Sequence, residues 1–236
     1  MPALPIKLAE NVWRIPTLGS NLINSFVFEE PDGSITLVDA GMKGAPKKLI
    51  GSLAAIGKKP SDVKRILLTH AHYDHTDGAA AIRLSTGASV HAHVDDADYI
   101  RLGRRPPIGY PGPLGRVFAY VGTRMRSCEV DETFSEGEVL DVAGGLSVLH
   151  TPGHSPGHCS FLHSQSGVLI TGDALFNFRD KMSYSFALFC FDPKLSRDTA
   201  DRLGESEYEV AAFTHGPEIR RNARAAVREF LAKRKG

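Results

Sequence analysis

The segment RILLTHAHYDHTDG, residues 65–78, places three histidines and an aspartate directly after a short apolar run. Side chains at positions i and i+2 of an extended chain point to the same side, so His70 and His72 can bind one metal ion together. Asp74 and His75 lie where the chain turns towards a helix, and they can therefore face a second ion. Imidazole and carboxylate groups suit zinc. The segment predicts two adjacent metal sites, and the fold must bring further ligands to complete them.

Three other apolar segments also end in a residue that can bind metal. His154 follows a predicted strand in TPGHSPGH, Asp173 follows one in LITGDA, and His215 follows one in AAFTHG. Rigid scaffolds commonly place chemistry where a strand gives way to a loop. These three residues are the candidates that complete the two sites.

The order of predicted elements along the chain indicates an α/β fold. The strand SITLVDAG ends at Asp39, and apolar residues at helical spacing predict helices over residues 45–57 and 77–87. A closing helix is predicted over residues 218–236. With 236 residues the chain is long enough for one core, so we predict a single domain over residues 1–236.

Residues 103–124 interrupt this alternation with four prolines and several glycines. Long irregular segments in compact domains often cover functional sites, so we predict a lid here. The alternative is a simple surface connection. If the segment is a lid, Tyr110 and Arg116 are candidates to contact the substrate.

Composition excludes several classes of partner. The net charge of +1 produces no overall field that would attract nucleic acid or a membrane surface. The N-terminus shows no signal-peptide pattern and there is no 18-residue apolar run, so we expect a cytoplasmic protein. Three widely spaced cysteines argue against a disulfide framework. His91 and His93 alternate on a predicted strand, but no third ligand lies near them in the sequence.

Taken together, these motifs resemble those of the metallo-β-lactamase superfamily of metallohydrolases. The matching elements are VDAG, H-x-H-x-D-H, TPGH, GD and THG, in the family's order, and they extend over residues 39–216. The resemblance implies a four-layer αββα metallo-β-lactamase fold. It also implies a binuclear site with two zinc ions per chain, for which iron or manganese is the alternative.

The ligands implied by the resemblance fall into two groups: His70, His72 and His154 for one metal, and Asp74, His75 and His215 for the other. Asp173 would bridge both metals. Asp39 would accept a hydrogen bond from a ligand histidine, as metal-bound imidazoles generally require.

Departures from the family's subgroups narrow the function. The antibiotic-hydrolysing members generally have a cysteine ligand where this chain has Gly172-Asp173, which counts against β-lactam hydrolysis. GDALF and TPGHSPGH resemble glyoxalase II and its thioesterase-like relatives, but residues 1–236 offer no counterpart to the long helical C-terminal extension of glyoxalase II, so we expect an incomplete match to that enzyme. The pattern also resembles acyl-homoserine lactonases, which usually have a tyrosine where this chain has Phe176.

The resemblance and the chemistry of paired metals together predict a zinc-dependent hydrolase. A metal-bridging hydroxide would attack the carbonyl of a small ester, thioester or lactone, and Asp74 would orient this nucleophile or transfer a proton. Phe176 would contact the apolar part of the substrate. A phosphodiesterase that uses the same two metals is the alternative enzyme, and a protein that only binds a ligand through the metals is the alternative outside catalysis. The sequence predicts no oligomeric state.

Overall fold

The computed structural model describes residues 4–109 and 124–233, which form two large β-sheets with helices on their outer faces. The first sheet has seven described strands, and their order in the sheet follows the chain: β1 (Ile6–Ala9), β2 (Val12–Leu18), β3 (Ile23–Glu29), β4 (Ile35–Val38), β5 (Val63–Leu68), β6 (Ser89–His93) and β7 (Glu132–Phe134). Strands β1 to β4 pair antiparallel, and β4 to β7 pair parallel.

The second sheet contains five described strands: β8 (Val139–Leu140), β9 (Leu146–His150), β10 (Cys159–His163), β11 (Val168–Ile170) and β14 (Val210–Ala212). They lie in the order β14-β11-β10-β9-β8. The β11–β14 pair is parallel and the others are antiparallel. Strands β12 (Leu175–Phe178) and β13 (Lys181–Tyr184) form a separate hairpin.

The described α-helices are α1 (Ala45–Leu53), α2 (Tyr73–Thr76), α3 (Ala79–Thr86), α4 (Val94–Leu102), α5 (Pro193–Ala200) and α6 (Ala223–Ala232). Among the residues described, no helix has the length and apolar character needed to cross a membrane.

The two sheets pack face to face because their strands are apolar on alternate positions. Phe26 and Phe28 of β3 point towards the second sheet, where they join Phe161 of β10 in one buried cluster. Val27, between them, points the other way and packs under the helices of the first sheet. The core between the sheets is therefore built from every second residue of the central strands.

Each sheet carries a helical layer on its other face. Leu49 of α1, Ile82 of α3 and Ile100 of α4 belong to the cluster that covers the first sheet. Val227 and Leu231 of α6 belong to the cluster that covers the second sheet. The order of layers is α, β, β, α, which confirms the predicted α/β, four-layer αββα fold.

Two predicted helices differ in length from those in the structure. The predicted helix over residues 45–57 ends as an α-helix at Leu53, and a single 3₁₀ turn, Ala54–Ile56, follows it. The predicted closing helix over residues 218–236 begins only at Ala223, because Asn222 adopts a left-handed conformation with φ of 52°. A non-glycine residue at positive φ cannot continue a right-handed helix, so the chain turns before α6 begins.

The fold brings the ends of parallel strands from both sheets to one edge. Parallel strands place their carboxyl ends side by side, and loops at this edge commonly hold ligands. The Cys159 N–H donates to the carbonyl of Thr69 (2.9 Å), and the Asn24 N–H donates to the carbonyl of Thr214 (2.8 Å). These bonds join the two sheets at the edge where the predicted site residues lie.

Candidate metal centre

Three histidines form the first group of donor atoms at this edge. His70 and His72 lie just beyond β5, and His154 lies on the turn after β9. One ring nitrogen from each lies within 4.8 Å of the others, and all three side chains are buried. The structure thus brings together residues from both sheets that are far apart in the sequence.

The second group consists of Asp74, His75 and His215. One carboxylate oxygen or ring nitrogen from each lies within 4.8 Å of the others. Asp74 and His75 lie on the short helix α2, and His215 follows β14. Asp74 Oδ2 lies 3.5 Å from Nε2 of His215 and 3.8 Å from Nε2 of His75. Asp74 is only partly buried, so one side of this group faces the pocket.

The carboxylate of Asp173 lies between the two groups. Its Oδ1 is 3.3 Å from Nε2 of His75 and 3.3 Å from Nε2 of His215. Its Oδ2 is 3.2 Å from Nε2 of His154 and 3.9 Å from Nε2 of His70. Each oxygen therefore faces a different group of histidines.

Neighbouring groups fix the orientation of four of these imidazole rings through Nδ1. The partners are Thr69 Oγ1 for His70 (3.0 Å), Asp39 Oδ2 for His75 (2.8 Å), Ser185 Oγ for His154 (2.5 Å) and the Leu22 carbonyl for His215 (2.6 Å). An imidazole that donates through Nδ1–H presents the lone pair of Nε2 at its other side. These four rings therefore present Nε2 towards the centre.

The donor set fits a pair of divalent metal ions. Nε2 of His70, His75 and His154 is buried and has no hydrogen-bond partner among the described residues. Buried polar atoms without a partner are rare in native proteins and require a reason. Tetrahedral zinc with bonds of about 2.0–2.1 Å to nitrogen separates its ligand atoms by about 3.3 Å. The 3.2 and 3.3 Å separations around Asp173 match this spacing.

The carboxylate of Asp173 shifts the pKa values of the histidines around it in opposition to burial. Burial and the neighbouring histidines hold the pKa of His70 and His72 well below the usual value. Burial also opposes protonation of His75 and His154, but nearby carboxylates, chiefly Asp173, outweigh this effect. The pKa of His75 therefore rises well above its usual value, and the pKa of His154 rises to about 9. Burial likewise opposes ionisation of Asp173, yet His215, His75 and His154 lower its pKa well below its usual range. The centre therefore favours positive charge beside Asp173.

Asp39 lies at the end of β4, next to the second group. Its backbone has φ of 63°, a conformation that is costly for a residue other than glycine. The Thr69 N–H donates to Oδ1 (2.9 Å), the Thr69 hydroxyl donates to Oδ2 (2.8 Å), and Nδ1 of His75 donates to Oδ2 (2.8 Å). The strained turn thus directs the carboxylate of Asp39 towards His75.

A pocket opens onto these groups and is lined on one side by phenylalanines. The cavity has a volume of about 160 Å³. Besides residues of the two donor groups and Asp173, its walls consist of Tyr73, Arg105, Phe176, Phe178, Phe186 and Phe189. The Phe176 ring lies 4.8 Å from the ring of His215, centroid to centroid. Phe176, predicted to contact the apolar part of the substrate, thus lies on the wall of this pocket.

The other two predicted substrate contacts, Tyr110 and Arg116, lie outside the described residues. The same holds for most of the predicted lid over residues 103–124. Of that segment, Arg105, whose position in the sequence also suggested contact with an anionic group of the substrate, lines the pocket.

Several residues that support the centre were missed by sequence reasoning. Ser185 follows β13 and contacts His154. Asp96, on α4, accepts hydrogen bonds from the two segments that carry the first group of histidines. Neither residue belongs to a motif, because a serine after a strand and an aspartate in the first turn of a helix are common in any fold.

His158 supports the centre as a positioning residue for Asp173. Its Nε2 accepts the backbone N–H of Asp173 (2.7 Å), and its Nδ1 donates to the carbonyl of Thr151 (2.9 Å). Burial, followed by the charge of His154, lowers the pKa of His158 to about 3, which keeps the ring neutral. Gly172 makes this contact sterically feasible, since a Cβ there would lie 2.5 Å from Nε2 of His158.

His91 and His93 have different neighbours in the structure. Nε2 of His91 contacts the hydroxyl of Ser89 (2.8 Å). His93 stacks on His150, with ring centroids 4.1 Å apart, and its Nδ1 accepts the N–H of Asp95 at the start of α4 (3.2 Å). These contacts stabilise local structure, and His93, Asp95 and His150 also bring ligand atoms within 4.8 Å of one another.

Comparison with known proteins gives a consistent result. The family model of the metallo-beta-lactamase superfamily matches residues 18–215. The metallo-beta-lactamase MIM-1 of Novosphingobium pentaromativorans has a similar structure, with a TM-score of 0.74, 21% identity, and coverage of 98% of this chain and 88% of that one. At this identity the likeness concerns the fold alone.

Among curated relatives, the uncharacterized protein YobT of Bacillus subtilis is 26% identical over 221 residues, which cover 89% of this chain and 91% of YobT. The hydroxyacylglutathione hydrolase GloC of Haemophilus influenzae is 26% identical, with coverage of 70% and 72%. An N-acyl homoserine lactonase of Bacillus thuringiensis is 28% identical, with coverage of 75% and 65%.

Proposed function

The chain belongs to the metallo-beta-lactamase superfamily, whose members are metal-dependent hydrolases, and from this premise we propose that it is a binuclear zinc enzyme that cleaves an ester, a thioester or a lactone. The observation that carries the proposal is the position of Asp173. One of its oxygens faces His75 and His215, and the other faces His154 and His70. A carboxylate that faces two groups of nitrogens in this way is suited to bridge two metal ions.

Two zinc ions, when bound, would supply Lewis acidity and would lower the pKa of water to about 7. Asp74 is the residue of the centre with a partly exposed carboxylate, and it lines the pocket. We assign to Asp74 the orientation of the attacking water and the transfer of its proton towards the leaving group. Nε2 of His215 and Nε2 of His75 lie 3.5 and 3.8 Å from the Asp74 carboxylate.

The aromatic side of the pocket favours an apolar acyl group in the substrate. Phe176 is buried against His215, and Phe178 and Phe186 have their rings 6.3 Å apart and nearly parallel. Ligand pockets generally combine apolar walls with a few polar groups that set orientation. Arg105, on the same pocket, is suited to a carboxylate or another anionic group of the substrate.

Relatives with named activities support a carbonyl substrate. A hydroxyacylglutathione hydrolase and an N-acyl homoserine lactonase are similar to this chain over 70% and 75% of its length. One is named for the hydrolysis of hydroxyacylglutathione and the other for the hydrolysis of an N-acyl homoserine lactone. Phe176 stands where acyl-homoserine lactonases usually have a tyrosine, so the substrate panel includes thioesters and other esters beside lactones.

Metal analysis and a substrate panel test the proposal together. We expect purified protein to contain about two divalent ions per chain, chiefly zinc, and a strong chelator to abolish activity. The panel contains lactones, thioesters, aryl esters and phosphodiesters, each with short and long apolar groups. Activity on phosphodiesters alone would show that the protein is a phosphodiesterase and does not hydrolyse carbonyl compounds. Full activity in chelator with no bound metal would refute the proposal.

A further inference from the structure

The buried aspartate of α4, Asp96, joins two segments of the centre. Its Oδ2 accepts the backbone N–H of Ala71 (2.8 Å) and the hydroxyl of Ser155 (2.5 Å). Its Oδ1 accepts the backbone N–H of Gly157 (2.8 Å). The side chain is fully buried, so these three donors, and not water, satisfy the carboxylate.

The donors to Asp96 come from the segments that carry the first group of histidines. Ala71 stands between His70 and His72, and Ser155 directly follows His154. One carboxylate thus links the chain beyond β5 in the first sheet to the turn beyond β9 in the second. Within the part of the chain that the structure describes, Asp96 makes no hydrogen bond to Asp74, His75 or His215.

Close packing makes this link rigid. A Cβ on Gly157 would lie 2.7 Å from the backbone nitrogen of Asp96 and 2.9 Å from its Cβ. The turn therefore sits directly against the start of α4, and only glycine fits at this point of contact. A rigid link of this kind determines the spacing between His154 and the pair His70 and His72.

We propose that Asp96 is a positioning residue for the three-histidine group, and that it sets the metal affinity of that half of the centre without setting that of the other half. The inference rests on the proposed binuclear site. Outer residues that orient metal ligands typically change affinity by about 10- to 100-fold when they are replaced. We expect the effect of Asp96 to fall mainly on this half, because Ala71 and Ser155 adjoin its histidines, whereas none of the three donors adjoins Asp74, His75 or His215.

The substitution Asp96→Asn removes the link with little change in volume. If the amide oxygen takes the place of Oδ2, the amide nitrogen faces the N–H of Gly157. If the amide is turned over, its nitrogen faces the N–H of Ala71. Either orientation sets two donors against each other and leaves a backbone N–H without its acceptor. One of the two segments must therefore move.

The test is a titration of metal-free protein with zinc in the presence of a competing chelator. The wild type is expected to show two binding steps, which the variants His72→Ala and His215→Ala assign to the two halves. Asp96→Asn should weaken the step that His72→Ala removes by about 10- to 100-fold, and it should leave the other step within about twofold. Asp98→Asn is the matched control, since Asp98 is on the same helix but pairs with Arg101 at the surface; it should shift neither step.

A general loss of structure would not give this pattern. Circular dichroism of each metal-free variant checks that it is folded, and Ser155→Ala, which removes one donor and keeps the carboxylate, should shift the same step in the same direction by a smaller factor. An equal shift of both steps, or no shift in either, would overturn the inference while leaving the binuclear site intact. If the wild type itself binds no zinc, the proposed function fails, and this inference fails with it.

Discussion

The two ends of the pocket differ in the kind of side chain that forms them. The inner end consists of the buried polar residues of the two donor groups, and the outer end consists of phenylalanines. At the inner end, polar side chains are buried and their atoms are fixed by partners, as in the contact of His75 with Asp39. At the outer end, Phe186 and Phe189 are apolar yet 53% and 43% exposed. Exposed apolar groups beside a site commonly indicate a surface that a ligand covers.

The difference between the ends separates two tasks. A buried hydrogen-bonded network fixes atoms within fractions of an ångström, which chemistry at a metal centre requires. An exposed aromatic surface provides non-directional contact that accepts a range of apolar shapes. We therefore expect changes at the inner end to affect turnover and metal content, and changes at the outer end to affect substrate preference.

The largest effect is expected for Asp173→Ala. The change removes the carboxylate that faces both groups of histidines, so at least one metal ion should be lost. Loss of several kcal/mol of stabilisation in the transition state corresponds to a decrease of about a thousandfold or more in kcat/KM. Elemental analysis and steady-state kinetics measure both results. Two retained metal ions with near-normal kinetics would show that Asp173 is not a bridging ligand.

A smaller loss is expected for Asp74→Asn. The amide keeps the shape of the side chain but is a poorer ligand and cannot accept a proton, so kcat should fall by about a hundredfold or more. The fold should be retained, because Asp74 is only partly buried on a short helix. Turnover close to the wild-type value would contradict the role assigned to this carboxylate.

At the outer end, Phe186→Ala should change KM more than kcat. Removing half-buried apolar surface from the contact with an acyl chain costs on the order of 1 kcal/mol, which raises KM for long-chain substrates by about fivefold. KM for short-chain substrates should change little. Leu84→Ala, a change on α3 of a side chain that is 90% exposed, is the control. Equal effects on long and short chains would show that Phe186 does not contact the acyl group.

The smallest effect is expected for His91→Ala. His91 contacts Ser89 and lies near Glu132, away from both groups of donors. Metal content and kcat/KM should therefore match the wild type. Loss of one metal ion from this variant would show that a metal ligand lies outside the inner end of the pocket, which would contradict the comparison.

The sequence predicted those site residues that follow the end of a strand. His70, Asp173 and His215 could be proposed from their local patterns, because a strand end is visible in the sequence and the fold brings such ends to one edge. The αββα layers followed from the resemblance, and the alternating burial of β3 explains them physically.

Contacts between distant segments could not be predicted in the same way. Ser185 and Asp96 act on histidines through the packing of elements that have no shared sequence pattern. Of the phenylalanines that line the pocket, Phe176 could be predicted, whereas Phe178, Phe186 and Phe189, in the segment around the β12–β13 hairpin, could not. The length of a helix such as α6 depends on a single left-handed residue, which periodicity does not detect.

The hydrogen bonds that join the two sheets at the site also have a consequence for the order of folding. His70 follows β5 and His215 follows β14, so these two residues become neighbours only after the last strand has docked. Closing contacts between segments this far apart in the chain is slow, since the entropy of a long loop must be lost first. Tight uptake of metal during refolding should therefore be a late event, and its rate would report the docking of one sheet on the other.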